Sequence, residues 1–344
     1  MRKSVTFSEP GPSIYNHAAM AKATEGGFNV ENVRRGASIN TSDLVITEAP
    51  LLNEEEQTDA LEALIADGIF DSADWPSQYL ARDFAVGDGE TLRFDPATLL
   101  RTGIMYGWAV EQAARNARNG GPVQIAINAP GTIGPHEHLF IGLELRRRGV
   151  EAFDLALPWG GRWEPAVDWI GETEAFGQSL RIHRGIAETH GGWRLVFEHA
   201  EHKMTALPLL AGQCGEWVCL NMDGIGWIEA MRILARHEPA LLRELLPVAQ
   251  DRFVFDKPDA ELATTEDDIR TLPDVPDSEL ERVIVDDFRG RQLLQVTALS
   301  LIGHETHGPA IRAALEEHQV LHTELVGEVS ERHFAFWSHA QVGR

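Results

Sequence analysis

A chain of 344 residues with 43% apolar content can bury one large core or two ordinary ones, which excludes intrinsic disorder. No apolar run approaches the roughly 20 residues that span a bilayer, and MRKSVTFSEPGPS lacks the apolar centre of a signal peptide, so the expectation is a cytoplasmic protein. Fifty-three acidic against 30 basic residues give a net charge of −23, which repels phosphate backbones and anionic headgroups and argues against nucleic acid and membranes as partners.

In chain order, short runs rich in β-branched residues recur: SVTF (4–7), FNVENV (28–33), DLVIT (43–47), VQIAIN (123–128), AFDLAL (152–157), RLVFEH (194–199), WVCLNM (217–222) and LLQVTAL (293–299). Helical patterns fill many of the gaps, and their ends are marked. Gly149 follows an Arg-rich last turn, Pro239 opens a helix after His237, and Ser278 with Glu281 reads as a capping box. Eight strands alternating with helices predict an α/β fold of the TIM-type, a (β/α)8 barrel irregular in its N-terminal strands, since the second and third runs lie too close for a helix between them. The expectation is a single domain over 1–344, with a helical insertion around 52–119 and an acidic, Pro-rich surface excursion around 256–277. Cys214 and Cys219, in GQCGEWVC, fit neither a CxxC site nor a disulfide framework and are read as free buried thiols.

Barrels build their chemistry at the carboxyl ends of the strands. There the fourth run leads into APGTIGPHEH, the sixth into EHAEHK and the seventh into DGIGW. Imidazole and carboxylate in HEH (136–138) and EHAEHK (198–203) suit a divalent metal of the Mn, Zn, Co or Ni kind. GHETH (303–307) is read as a solvated loop, and Trp159, Trp163 and Trp169 chiefly as packing.

Five blocks then carry a resemblance: HLFIGLELRRRGV, EPAVDWIGETEAF, HGGWRLVFEHAEHK, GWIEAMRILARHEPALLRELLPVAQDRF and DFRGRQLLQVTALSLI. In order and spacing, over roughly 120–335, the chain resembles the tagaturonate epimerase family, as a divergent and N-terminally shorter member. The resemblance implies a metal-dependent barrel enzyme that interconverts D-tagaturonate and D-fructuronate, which differ at C4. Because C4 is not adjacent to the C2 ketone, enolisation alone cannot invert it, whereas retro-aldol cleavage, rotation and re-addition can; a metal would stabilise the enediolate and a base would remove the C4 hydroxyl proton.

Residue by residue, His138, Glu164, Asp168 and Lys203 match family positions, while Asn128, Ala129, Glu198, Asn221 and Gln295 stand where the family carries other polar residues. The resemblance therefore implies a rebuilt site: His138 and Glu198 as metal ligands with His136 and His202, Lys203 or Asp223 as base, and Arg162, Trp159, Asn221 and Gln295 holding an acidic sugar. A noncatalytic sugar-binding barrel without its metal, and a metal-dependent amidohydrolase, are the competing readings. The partner expected is a small acidic sugar, and a homo-oligomer is left open.

Overall fold

A computed structural model of the chain describes residues 6–8, 44–48, 59, 76–117, 123–129, 131–222, 224–258 and 262–340. The fold is mixed α/β. Six parallel strands, β1 (Thr6–Ser8), β2 (Leu44–Glu48), β5 (Val123–Asn128), β6 (Ala152–Ala156), β7 (Arg194–Phe197) and β8 (Val218–Asn221), form one sheet in the order β1-β8-β7-β6-β5-β2. A small antiparallel pair, β3 (Phe84–Ala85) and β4 (Thr91–Leu92), lies apart.

Strand periodicity divides the sheet into two chemically distinct faces. Ile125, Ile127, Leu155, Leu195, Phe197, Val218 and Leu220 point to the face that joins the main core. It is covered by helices α1 (Pro96–Asn116), α2 (Pro135–Arg147), α3 (Thr173–His190), α4 (Leu207–Gln213) and the terminal α9 (Gln319–Ala340), each packed on the next. The opposite face carries Ala126, Ala156, Val196 and Cys219, with the register pair Asp154 and Arg194 joined at 2.6 Å. At its carboxyl end that face reaches Glu198 and Asn221. The residues that could do chemistry therefore emerge at the carboxyl end of this second face.

A second apolar core unites α5 (Gly224–His237), α6 (Pro239–Asp256), α7 (Phe288–Val296) and α8 (His307–Glu317) through Ile228, Met231, Leu234, Leu245, Phe253, Ile284 and Leu293. The run predicted as the eighth strand belongs here and is helical. Its buried residues, Gly290, Leu293, Leu294, Thr297 and Leu301, recur at spacings of three and four, and Asp287 caps the helix by accepting from the Arg289 N–H at 3.0 Å.

Gly149 has φ +74° directly after α2, as its position predicts, and Pro239 opens α6. Ser278 does not cap: it sits inside the turn Asp277–Leu280, whose N-cap is Pro276 and which runs into a π-helical segment Glu281–Asp286. The part of 52–119 that is described is less an insertion than a cover, because α1 packs on β2 and α2. The 256–277 segment is likewise anchored: Thr264 and Ile269 are buried, and a Thr265–Asp268 capping box starts a helical turn. Cys214 and Cys219 are free and buried. FNVENV and Asp223 lie outside the described residues. Among the described residues, no helix is long and apolar enough to cross a membrane.

Candidate functional site

The chain leaves β7 through a tight double turn, Glu198 to Lys203, in which His199 and His202 both adopt left-handed backbone, φ +51° and +61°. That region is costly for side chains with a Cβ. Ala166, on the loop after β6, is a third such residue at φ +57°. Among the described residues only Asp88, on the β3–β4 hairpin, shares the property, so backbone strain is concentrated where these two loops meet.

Lys203 explains why they meet. Its ammonium is fully buried and donates to the carbonyls of Glu164 at 2.6 Å, of Val167, and of Glu201 at 3.4 Å. With its three hydrogens so placed, it clamps the loop after β6 onto the turn after β7. Asp168 adds to the clamp, accepting from the Thr205 hydroxyl at 2.7 Å and its N–H at 3.1 Å. From the second core, Arg291 donates to the Ala166 carbonyl at 2.7 Å, while Gln292 spans the Glu164 carboxylate and the Thr264 N–H.

The clamp surrounds polar atoms that the protein leaves without partners. Glu201 is fully buried, and neither carboxylate oxygen makes a well-formed hydrogen bond, although the Ala166 N–H lies close. Burial pushes its pKa up to about 7 against the attraction of Lys203, whose own pKa burial pulls down to about 8. Glu198 accepts from the Asn221 amide at 2.5 Å, and burial still raises its pKa. The Asn221 and Gln295 carbonyl oxygens and His202 Nε2 are buried with no partner. Burial, with Arg291 nearby, holds His202 neutral. Fully buried His333 on α9 pairs Nδ1 with the Val329 carbonyl at 2.7 Å; a carbonyl only accepts, so the lone pair sits on Nε2, which has no partner.

Of the residues singled out from the sequence, Glu198, His202, Lys203 and Asn221 come together at the ends of β7 and β8. Gln295 lies beside this end, its amide against Gly224 at the start of α5.

His138 goes elsewhere. It is buried in the main core, where Trp193 Nε1–H donates to its Nε2 at 2.9 Å and its Nδ1 meets His183 Nδ1 at 3.0 Å. The Trp193 bond fixes the neutral tautomer with Nδ1–H, which donates to His183, so neither nitrogen is left for a metal. His136 turns to the Arg93 carbonyl at 3.0 Å and the Phe94 ring. Trp159 is core as well, donating to the Val196 carbonyl at 2.6 Å, and Trp169 stacks on Phe176. Arg162 is half-exposed and faces Glu164 at 3.2 Å. The GHETH loop is solvated, with His304 Nδ1 accepting from the N–H groups that open α8.

Glu201 and His333 were missed. Glu201 was visible within EHAEHK, but only the reversal of backbone at His199 and His202 turns it inward; His333, in the helical run ERHFAFW, carries no local signal.

A family model described as tagaturonate epimerase matches residues 29–336. A curated relative, the tagaturonate/fructuronate epimerase of Thermotoga maritima, is 25% identical over 289 residues, which cover 82% of this chain and 59% of the relative, so the chain spans less than two thirds of that protein's length. The crystal structure of the fructuronate-tagaturonate epimerase of Cohnella laeviribosi with two glycerols superposes with a TM-score of 0.77 at 19% identity, over 97% of this chain and 81% of that one. The native crystal structure gives 0.76 over 98% and 82%. This likeness carries the fold.

Proposed function

We propose, from the premise that the chain belongs to the tagaturonate epimerase family, that it inverts C4 of a keto-uronate, interconverting tagaturonate and fructuronate. The observation that carries the proposal is the set of buried, unpartnered polar atoms on Glu201, His202, Asn221 and Gln295, at and just beyond the carboxyl ends of β7 and β8 and on the helix beside them. Unpaired buried polar groups cost about 1–3 kcal/mol each, and a ligand rich in hydroxyl and carboxylate oxygens would return those bonds. In this reading the sheet is the described part of a (β/α)8 barrel, an architecture favoured by the pairing of the first strand with the last.

The donor chemistry also fits a divalent metal. Glu198 and His202 would hold it: one carboxylate and one neutral imidazole with a buried, unpartnered nitrogen. When bound, the ion would supply Lewis acidity toward the ketone and its neighbouring oxygen. The chain's own residues do the rest. Removal of the C4 hydroxyl proton lets the C3–C4 bond break to an aldehyde and an enediolate; after rotation, C3 adds to the other face of the aldehyde and the proton returns to the C4 oxygen. Glu201, with a pKa near 7, is suited to hold that proton and release it at neutral pH. Lys203 is a positioning residue, since its hydrogens are committed to the loop carbonyls, and Asn221 orients Glu198.

The test is NMR of tagaturonate incubated with the protein, chelated and then reloaded with manganese, zinc, cobalt or nickel. Appearance of fructuronate with no solvent hydrogen entering C4 is the expected result. Tight binding of the keto-uronate without conversion under every reloading condition would leave a binding protein instead.

A further inference from the structure

Far from the strand ends in sequence, two joints between helices meet. Glu238 is the one-residue link from α5 to α6, and Glu317 ends α8 just before His318, the one-residue link to α9. One carboxylate oxygen of each glutamate and one imidazole nitrogen of His318 lie within 4.8 Å of one another, the one such trio of His, Cys, Asp or Glu among the described residues. Among those residues neither glutamate has an Arg or Lys partner, so the two carboxylates face each other with only an imidazole between them. His318 Nε2 is itself buried without a hydrogen bond, 4.0 Å from Glu238 Oε1. The His318 ring stacks on His237 at 4.6 Å, which fixes its plane.

We propose that this junction binds a divalent transition metal of the zinc, nickel or cobalt kind, with Glu238, Glu317 and His318 as ligands and water completing the shell. Two carboxylates and one imidazole are a hard-to-borderline donor set that these ions accept, and donors about 2.1 Å from one ion stand roughly 3–4 Å apart, a small closure of the trio described here. The ion neutralises a like-charged pair and fastens the α5–α6 joint to the start of α9. That helix carries His333, so the metal braces the element closing one side of the strand-end cluster.

The test uses the full chain with Glu198→Gln, which silences the strand-end site, stripped with chelator and titrated with zinc, nickel or cobalt chloride by calorimetry and thermal melting. One ion per chain and a raised melting temperature are expected. Adding Glu317→Gln, at an exposed position, should weaken binding at least about tenfold and remove the thermal shift; His318→Asn should do the same and abolish the imidazole-dependent visible spectrum of the cobalt form. Unchanged affinity in the Glu317→Gln protein, or no ion bound in the Glu198→Gln background, overturns the proposal. Neither readout involves substrate, so the outcome is independent of the epimerase reading.

Discussion

Two buried groups of imidazoles and polar side chains sit on opposite sides of the same sheet, and they differ in how their polar atoms are satisfied. In the core, His138, His183, Trp159 and Trp193 interlock through ring contacts and hydrogen bonds, and only His183 Nε2 lacks a partner. Their backbone lies in ordinary helical or extended regions. At the strand ends, Glu201, His202, Asn221 and Gln295 leave several buried atoms unpaired, on backbone that is left-handed at three positions. Both groups carry imidazole and place polar atoms out of reach of water. What separates the two groups is unsatisfied chemistry held in place by strain.

The largest break in that comparison should come from Glu198→Gln. If the strand-end group is catalytic, C4 epimerisation should fall by about a hundredfold or more while the melting temperature holds or rises, because burial already disfavours the Glu198 charge. Equal activity in the variant, measured by NMR, would move the chemistry elsewhere. Next comes Lys203→Met, which removes the cation from three carbonyls and leaves Glu201 buried without its neighbour; a stability loss of about 3 kcal/mol in urea unfolding is expected. A loss of activity with no loss of stability would mean that Lys203 meets substrate rather than loop.

Acid sharpens the contrast, because the two groups have opposite signs. Burial holds His183 near pKa 4, below the roughly 6.5 of an unfolded histidine, so the unfolded chain binds the extra proton. Its contribution is intact above about pH 6.5 and is lost as pH falls toward 4, by up to about 3 kcal/mol. Glu201 is raised instead, to about 7 from the usual carboxylate range, so the folded chain holds the proton and stability improves as pH falls from about 7 toward 4. Urea titrations across pH 4–7.5 should therefore show His183→Asn flattening the acid loss and Glu201→Gln flattening the opposing gain. The same slope change in both variants would mean that the two groups do not titrate independently.

Much of the fold was legible because strands buried on both faces read as apolar runs wherever they occur. LLQVTAL failed for the same reason: a short apolar run has no period, and only Gly290 before it and Leu301 after it place its buried residues at helical spacing. In the site, EHAEHK was legible as a density of ligand types at a strand end. HEH was not separable from it, since nothing local shows that Trp193, 55 residues on, occupies the His138 nitrogen. Glu201 and His333 required the tertiary fold.

The smallest effect tests the least strained side of the comparison, the helix end beneath the core imidazoles. Gly149 ends α2 at φ +74°, with its N–H on the Arg146 carbonyl at 3.0 Å and open space where a Cβ would stand. Gly149→Ala meets no neighbour, so the left-handed backbone alone sets its cost, about 1 kcal/mol in unfolding free energy. Activity should not change, because α2 carries His138 and not the turn after β7. If epimerisation falls with that small loss of stability, the core histidines and the strand-end group are coupled through the sheet, and the division drawn between them fails.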